Sequence, residues 1–436
     1  MAPTTSKLKL RILLVGGGGR EHALAWKLAQ SDRVEAIHVV PGNGGTVGVP
    51  KCNNIPALSP DDFAALVRHA AENMLNFLIP GPEAPLVAGI TDYFARHAPD
   101  ILVFGPSKAA ARMEGSKTFS KDFMRRHRIP TAQYENFSDR DAAEAYLDSV
   151  DYAVVIKADG LAAGKGVVIP TSKAEARSAL QSIMGDKEFG SAGDAIVVEE
   201  CLEGDEISIL SLTDGVTIRS LPPAQDHKRI GDGDTGPNTG GMGTYAPTPS
   251  VSEAQLEEIE KTVLRPTIDG MKAEGMTFVG CLFTGLMLTE SGPKVLEYNV
   301  RFGDPETQSC LALLDSDLAE ILHACSTGLL ADQQLRVSGM SACTVVVAAA
   351  GYPGSYAKNT PMRVQSTPEG GNTYIFHAGT TLDGDGMLYT SGGRVIAATA
   401  TGRTLREAVD RAYGGVALIE FEGLQYRKDI AKRALR

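Results

Sequence analysis

The feature that most limits the fold lies near the start of the chain. A short, mostly apolar run, Leu10-Arg11-Ile12-Leu13-Leu14-Val15, ends in Gly16-Gly17-Gly18-Gly19-Arg20-Glu21-His22. Beyond the glycines, Leu24 and Leu28 fall one helical turn apart with Ala25 and Ala29 beside them, so the pattern changes from a strand to a helix. Strand, glycine turn and helix open a doubly wound α/β unit, whose ligands gather at the carboxyl ends of the strands. A dinucleotide fingerprint would need a third glycine, but Glu21 and His22 occupy the two places it could take. The second strand, residues 36–40, runs into Pro41-Gly42-Asn43-Gly44-Gly45 with no carboxylate for a ribose diol, which argues against a nicotinamide dinucleotide. What remains is a helix N-terminus with free amides, suited to a lone phosphate. A glycine turn that only connects two elements would have the same sequence.

Two more apolar runs, residues 77–79 and 101–104, are followed by Pro80-Gly81-Pro82-Glu83-Ala84-Pro85 and Gly105-Pro106-Ser107. Their turns should line the same edge as the four glycines, and the first domain is expected to span residues 1–110. A helix is predicted over residues 109–127, with Lys117 and Lys121 one turn apart and read as solvated surface lysines.

At 436 residues the chain exceeds one ordinary core, and several domains are expected. Its formal charge of −11 argues against general nucleic-acid binding, which needs a basic face, and means that a phosphate substrate must be met by cations placed locally. The 6 cysteines are scattered without a Cys-x-x-Cys pair and read as buried thiols of a reducing compartment. The first ten residues have no apolar core of a leader, and no run approaches the ~18 apolar residues that span a bilayer. A cytoplasmic enzyme, with neither membrane nor nucleic acid as a partner, is the expectation.

From residue 152 the chemistry becomes denser. Ala153-Val154-Val155-Ile156-Lys157 and Val167-Val168-Ile169 flank the small-residue loop Ala158-Asp159-Gly160-Leu161-Ala162-Ala163-Gly164-Lys165-Gly166. The glycine spacing is wrong for a Walker A loop, and Gly166 stands where Ser or Thr should be. A flap without bulk can still close over a triphosphate while Lys157 and Lys165 neutralise its oxygens; a hairpin with two surface lysines is the plain alternative. Residues 196–200 and 206–210 are strands whose connector can present backbone groups to an adenine and Glu206 to a ribose. Gln225-Asp226-His227-Lys228-Arg229 leads into a long glycine-rich loop to Gly243, and loops of that length are usually functional or disordered.

After a helical stretch, residues 252–271, the most chemical element follows: Val295-Leu296-Glu297-Tyr298-Asn299-Val300-Arg301-Phe302-Gly303-Asp304-Pro305-Glu306. As a strand over 295–301, its period of two puts Glu297, Asn299 and Arg301 on one face and Leu296, Tyr298 and Val300 on the other. Two oxygen donors followed by a guanidinium suit Mg²⁺ and phosphate, although a half-exposed strand with a solvated face looks similar. Residues 331–436 read as a separate α+β domain that walls the cleft. It has a helix over residues 404–413 capped by Thr404, and Gly392-Gly393-Arg394 able to touch substrate. His22, His227 and His377 read as structural, since none has a nucleophile nearby in sequence.

With these segments in hand the chain closely resembles, end to end, the glycinamide ribonucleotide synthetase (phosphoribosylamine:glycine ligase) family of the ATP-grasp superfamily. The stretches that carry the resemblance begin at Gly18, Gly81, Ile156, Gln225, Thr235 and Arg301 and stand in the family's order. The resemblance implies an α/β fold in three parts: a doubly wound N-terminal domain (1–110), an ATP-grasp domain (111–330) with a mobile lid at about 130–195, and an α+β C-terminal domain (331–436). It also implies that ATP, glycine and 5-phosphoribosylamine give glycinamide ribonucleotide, ADP and phosphate through glycyl phosphate, in purine synthesis.

Site roles follow from the resemblance in the same way. Glu297 and Asn299 would hold Mg²⁺ or Mn²⁺, while Lys117, Lys157 and Lys165 would meet the ATP phosphates. Glu199, Glu200 and Leu202 would frame adenine, with Glu206 on the ribose. Arg301, Arg229 and Lys165 would stabilise the transferring phosphoryl group. Gly18, Gly19, Arg20, Gly42, Asn43 and Glu83 would serve phosphoribosylamine, and Asp226, Thr239, Gly240 and Met242 would lie near glycine. Many ATP-grasp relatives add a metal-binding carboxylate from the preceding strand, but Gly280-Cys281-Leu282-Phe283-Thr284-Gly285 supplies none, which leaves the number of metal ions open. The chain fits either a single-activity enzyme or the first part of a polypeptide that continues into aminoimidazole ribonucleotide synthetase. A related carboxylate-amine ligase, a non-catalytic nucleotide sensor and a dehydrogenase are the rival readings.

Overall fold

The computed structural model describes residues 8–161, 166–368 and 371–435. Its N-terminal sheet is parallel and has five strands: β1 (Leu10–Gly16), β2 (Val34–Pro41), β3 (Cys52–Asn54), β4 (Phe77–Pro80) and β5 (Leu102–Val103), in the order β3-β2-β1-β4-β5. The doubly wound expectation therefore holds, with the turns after β1, β2 and β4 on one edge. Residues Ile12 to Val15 are all fully buried, so both faces of β1 need cover. Leu24 and Leu28 of helix α1 (Gly19–Ala29) cover one face, together with Leu311 and Leu322 from helices beyond residue 305. On the other face Leu13 and Val15 pack in a core shared with Phe123 and Ile268. The N-terminal unit thus shares both of its cores with later parts of the chain, and this fixes the glycine turn relative to the rest of the molecule.

Two antiparallel sheets follow. One orders its strands as Tyr134–Phe137, Ile196–Glu200, Val154–Ala158 and Val167–Val168, backed by helices Arg140–Ser149 and Lys173–Leu180. The other orders them as Ile218–Ser220, Asp205–Thr213, Gly280–Thr289 and Gly292–Asn299. In the C-terminal part, strand Ser341–Ala348 pairs with Arg394–Gly402, and helix Leu405–Val416 packs on both. Thr404 caps that helix by accepting from the Glu407 amide, as expected.

Several local expectations are corrected. The helix predicted over 109–127 is two helices, Lys108–Gly115 and Lys117–Arg126, because Ser116 breaks the first and caps the second through the Phe119 amide. The stretch from Gln225 to Gly243 is not simply a loop. It contains strand Gln225–Asp226 and the hairpin Arg229–Gly231/Thr235–Asn238, and strand Gly243–Ala246 then joins it to the C-terminal sheet. The strand expected over 295–301 ends at Asn299. Its ladder pairs Gly285 with Glu297 but Leu286 with Val295, leaving Leu296 in a bulge. One extra residue reverses the alternation, so Val295 and Tyr298 are both buried while Leu296 turns to the cleft with Glu297.

Candidate active site

The elements that position the chemistry meet at a cleft of about 520 Å³ lined by residues of all three sections of the chain. The Gly16–Gly18 turn and Glu83 come from the N-terminal unit. Lys117 opens a central helix, Lys157 ends a strand of the first antiparallel sheet, and Glu297 and Asn299 end a strand of the second. Arg394 reaches in from the C-terminal sheet. Between the two antiparallel sheets the cleft continues into a recess of about 360 Å³ walled by Val155, Ile169, Glu200, Cys201, Leu202 and Glu206. At the opposite end lies a pocket of about 410 Å³ that includes Gly17, Gly42, Asp304, Tyr352 and Arg394.

Lys157 is held by position rather than left to swing. Its Nζ donates to the Leu296 carbonyl, exposed by the bulge, at 3.0 Å, and lies 2.5 Å from Glu199. The other Glu199 oxygen meets Lys121, whose Nζ also donates to Thr131. Lys121 and Glu199 are each about 2% exposed, so the expectation of a solvated Lys121 is corrected: it faces inward and helps neutralise a buried carboxylate. Glu199 is paired with both ammonium groups, while Glu200, Cys201 and Leu202 of its segment wall the recess.

Lys228 stands 3.5 Å from Glu206 and 3.6 Å from Glu297, where recess and cleft join. Burial alone would push the Glu297 carboxyl up, but Lys228, Lys157, Lys117 and Arg301 outweigh it and hold it at about 2. Burial, then repulsion from Glu306, pushes Asp226 well above the usual carboxylate range, and burial moves Glu306 the same way. The two acids thus resist carrying two full charges together. Arg301 lies 3.0 Å from Glu114 and 3.4 Å from Glu83, and its Nη2 donates to the Asn299 oxygen at 3.3 Å. Glu114 in turn accepts from the Val300 amide at 2.7 Å, which locks the guanidinium against the end of the metal-type strand.

The residues expected from the sequence fall into three groups. Gly18, Arg20, Glu83, Lys117, Lys157, Asp226, Gly240, Glu297, Asn299 and Arg301 line the main cleft. Glu199, Glu200, Leu202, Glu206, Arg229 and Thr239 line the recess, and Gly42 lines the far pocket. Gly19, Asn43 and Met242 line none of these cavities, and Lys165 lies outside the described residues.

Two of these assignments are corrected by the contacts. Asn43 donates to the Gly17, Gly18 and His377 carbonyls and accepts from the Gly45 and Thr46 amides, so it ties the turn in place and has no capacity left for a ligand. Met242 is fully buried, its backbone laddered to His227 and Val346. The free amides expected at the start of α1 are also taken in part: Gly18 donates to Glu21 at 2.6 Å and Arg20 to Asp304 at 3.3 Å. Two of the three histidines hold backbone amides. His22 Nδ1 accepts from the His377 amide, and His227 Nε2 accepts from that of Ala431.

Lys228, Glu306, Glu114 and Asp304 are site residues that sequence reasoning misses. One strand stops at Asp226 and the next begins at Arg229, so no strand period marks Lys228 in the sequence; Arg229, expected at the transfer, donates to the Gly236 carbonyl of its own hairpin.

Glu297, ionised, and the Asn299 carbonyl offer two hard oxygen donors, the kind Mg²⁺ takes from protein while phosphate oxygens and water complete its shell. Among the described residues no group of three or more His, Cys, Asp or Glu stands close enough together to hold a metal ion. The six cysteines are unpaired, and no described helix is long and apolar enough to cross a membrane.

A cleft between two antiparallel sheets, with lysines on one wall and a metal-type acid and amide on the other, defines an ATP-grasp protein; residues 115–307 match the model for the "Phosphoribosylglycinamide synthetase, ATP-grasp (A) domain". Residues 10–114 match the N domain and 342–433 the C domain of the same synthetase. The chain belongs to the phosphoribosylglycinamide synthetase family. It is similar to a phosphoribosylamine–glycine ligase of Vibrio cholerae, 46% identical over 98% of this chain and 99% of the other. A bifunctional purine biosynthetic protein of Schizosaccharomyces pombe is 56% identical over 97% of this chain and 53% of its own length. The crystal structure of a phosphoribosylamine–glycine ligase from Thermotoga maritima superposes with a TM-score of 0.81 at 33% identity, covering 97% of this chain and all of that one. The chain spans about half the length of the bifunctional relatives it matches.

Proposed function

We propose that this chain joins glycine to 5-phosphoribosylamine at the expense of ATP, giving glycinamide ribonucleotide, ADP and phosphate. The observation that carries this reading is the convergence of Lys117, Lys157, Lys228, Glu297 and Asn299 on one cleft that runs from a nucleotide-sized recess to a pocket lined by glycine turns. Adenine lies in the recess against the backbone of residues 199–202, with Glu206 on the ribose. Lys117 and Lys157 draw the phosphates toward Glu297 and Asn299, and Lys228 stands nearer the transfer than Arg229. Glu297 and Asn299 would hold a Mg²⁺ or Mn²⁺ ion, which would supply charge neutralisation for the transferring phosphoryl group.

A glycine carboxylate oxygen attacks the γ-phosphorus, and the bond to ADP breaks, leaving glycyl phosphate and ADP. The amine of phosphoribosylamine then attacks the acyl carbon. Phosphate leaves with that carboxylate oxygen, and the amine proton passes to solvent or to a nearby carboxylate. Asp226 and Glu306, which cannot both ionise freely, favour a cation between them, and the glycine ammonium fits. Arg301, fixed by Glu83 and Glu114, faces the acyl phosphate. Gly17, Gly18 and Gly42, with Arg394, cradle the ribosyl phosphate, while Asn43 holds their turn. In this reading residues 1–110 receive the amine, 111–330 carry ATP and 331–436 wall the cleft. The unpaired thiols support a reducing, cytoplasmic setting. Relatives twice as long favour a fused partner such as aminoimidazole ribonucleotide synthetase, which the size of the native polypeptide on an immunoblot checks.

The reaction is tested by ADP release with glycine and 5-phosphoribosylamine omitted in turn. The reading requires both for full turnover; ADP formed at an undiminished rate without glycine would overturn it.

A further inference from the structure

The segment at residues 427–433 is laced to the loop that carries Lys228. Arg427 is about 1% exposed, yet it carries a full charge, and it is buried by pairing. Its Nε and Nη2 meet the Asp429 carboxylate at 2.8 and 2.9 Å, and its Nη1 meets Asp234 at 2.9 Å and the Arg229 carbonyl at 3.1 Å. Arg433 holds the other Asp234 oxygen. The backbones are tied as well: Gly233 donates to Asp429 at 2.8 Å, Lys428 to Asp232 at 2.8 Å, and Ala431 to His227 at 3.3 Å. These contacts fall on both sides of Lys228, at His227 and at Arg229. The hairpin they grip has only two short strands, Arg229–Gly231 and Thr235–Asn238, and such a unit is marginal in water by itself. A planar fork pinned by two carboxylates and a carbonyl fixes direction as well as distance.

We infer that residues 427–433 are a strut that sets the Lys228 loop against the cleft, with Arg427 as a positioning residue for the Lys228 ammonium. Arg427 lines none of the cavities and touches Lys228 nowhere, so it acts through the residues on either side, whereas Arg433 of the same strut lines the recess and Lys228 lies at the junction of two. Its effect on turnover rests on the ligase reading above, whereas its effect on the loop does not.

The test compares Arg427→Met, Arg427→Lys, Lys228→Met and the double variant Arg427→Met/Lys228→Met in the full chain, by glycine-dependent ADP release and by amide exchange. Arg427→Met is expected to lower kcat on the order of tenfold or more and to speed exchange at residues 227–239 selectively. Arg427→Lys, which keeps charge without the fork, recovers part of the rate. In the Lys228→Met background Arg427→Met should cost less than about twofold more, since both act through one ammonium. An equal loss in both backgrounds, or exchange that speeds no more at 227–239 than in the rest of the C-terminal sheet, overturns the inference. If Arg427→Met fails to fold, Asp429→Asn, at a residue that lines none of the cavities and with the Asp234 pair left intact, is put through the same comparisons, and the same two outcomes overturn the inference. Should the unaltered chain show no glycine-dependent ADP release, the ligase reading falls while the exchange comparison still decides the strut.

Discussion

Lys228 and Glu297, from a loop and from a strand far apart in sequence, face each other at 3.6 Å where the nucleotide-sized recess opens into the main cleft. The ammonium also faces Glu206 at 3.5 Å, and it is the foremost of the cations that outweigh burial and hold Glu297 at about 2. Lys228→Met is therefore expected to lower kcat on the order of 10²-fold, as loss of a preorganised charge does, with far-UV dichroism unchanged. A loss under about threefold in steady-state ADP release would remove Lys228 from the chemistry.

Lys121 makes a second prediction, on stability. It and Lys157 share one buried carboxylate, Glu199. Without Lys121 the Glu199 charge is still balanced by Lys157, but one buried carboxylate oxygen loses its partner, so Lys121→Met should destabilise by about 2 kcal/mol, read from the urea midpoint at constant m. A shift below about 0.5 kcal/mol would mean that Lys157 alone satisfies Glu199.

The far pocket offers a binding test. A Cβ at Gly17 would lie 2.6 Å from the Gly42 carbonyl oxygen, a backbone atom that cannot turn aside, so Gly17→Ala must move one turn away from the other. The expected result is a KM for phosphoribosylamine raised on the order of tenfold with the KM for ATP unchanged. Equal changes in both would place the turn's effect elsewhere.

Acid stability follows from the buried histidines. Burial is the main cause that lowers His22 to about 3 and His227 to about 4, from an ordinary 6.5. Between those values the unfolded chain binds protons that the folded chain does not, so stability rises with pH there and is lost as pH falls from 6.5 toward 4. The slope is roughly 1.4 kcal/mol per pH unit for each such histidine. Urea midpoints measured from pH 7 to pH 4.5 check it, and a flat profile would contradict neutral, buried rings.

Much of this architecture was legible in the chain because it rests on short-range pattern. The run into Gly16 predicted the first strand and turn, Thr404 predicted a cap, and the alternation of Glu297 with Asn299 predicted a shared face. What was missed depends on contacts distant in sequence. The bulge at Leu296 is set by its pairing with residues 285–286, and Lys121 reads as a surface lysine until Glu199 is beside it. Asn43 looks like a ligand until its bonds are traced to Gly17, Gly18 and His377. Lys228 stands out from Arg229 only when Glu206 and Glu297, from two other strands, are placed beside it.

The central claim is that glycine's carboxyl group is activated by phosphoryl transfer in the Glu297 cleft, and the most direct measurement follows its oxygen. With glycine labelled by ¹⁸O in both carboxyl positions, turnover with ATP and phosphoribosylamine should release phosphate carrying one ¹⁸O, detected by mass spectrometry, and Glu297→Gln should suppress it. Phosphate released with no ¹⁸O while glycinamide ribonucleotide accumulates would contradict the account.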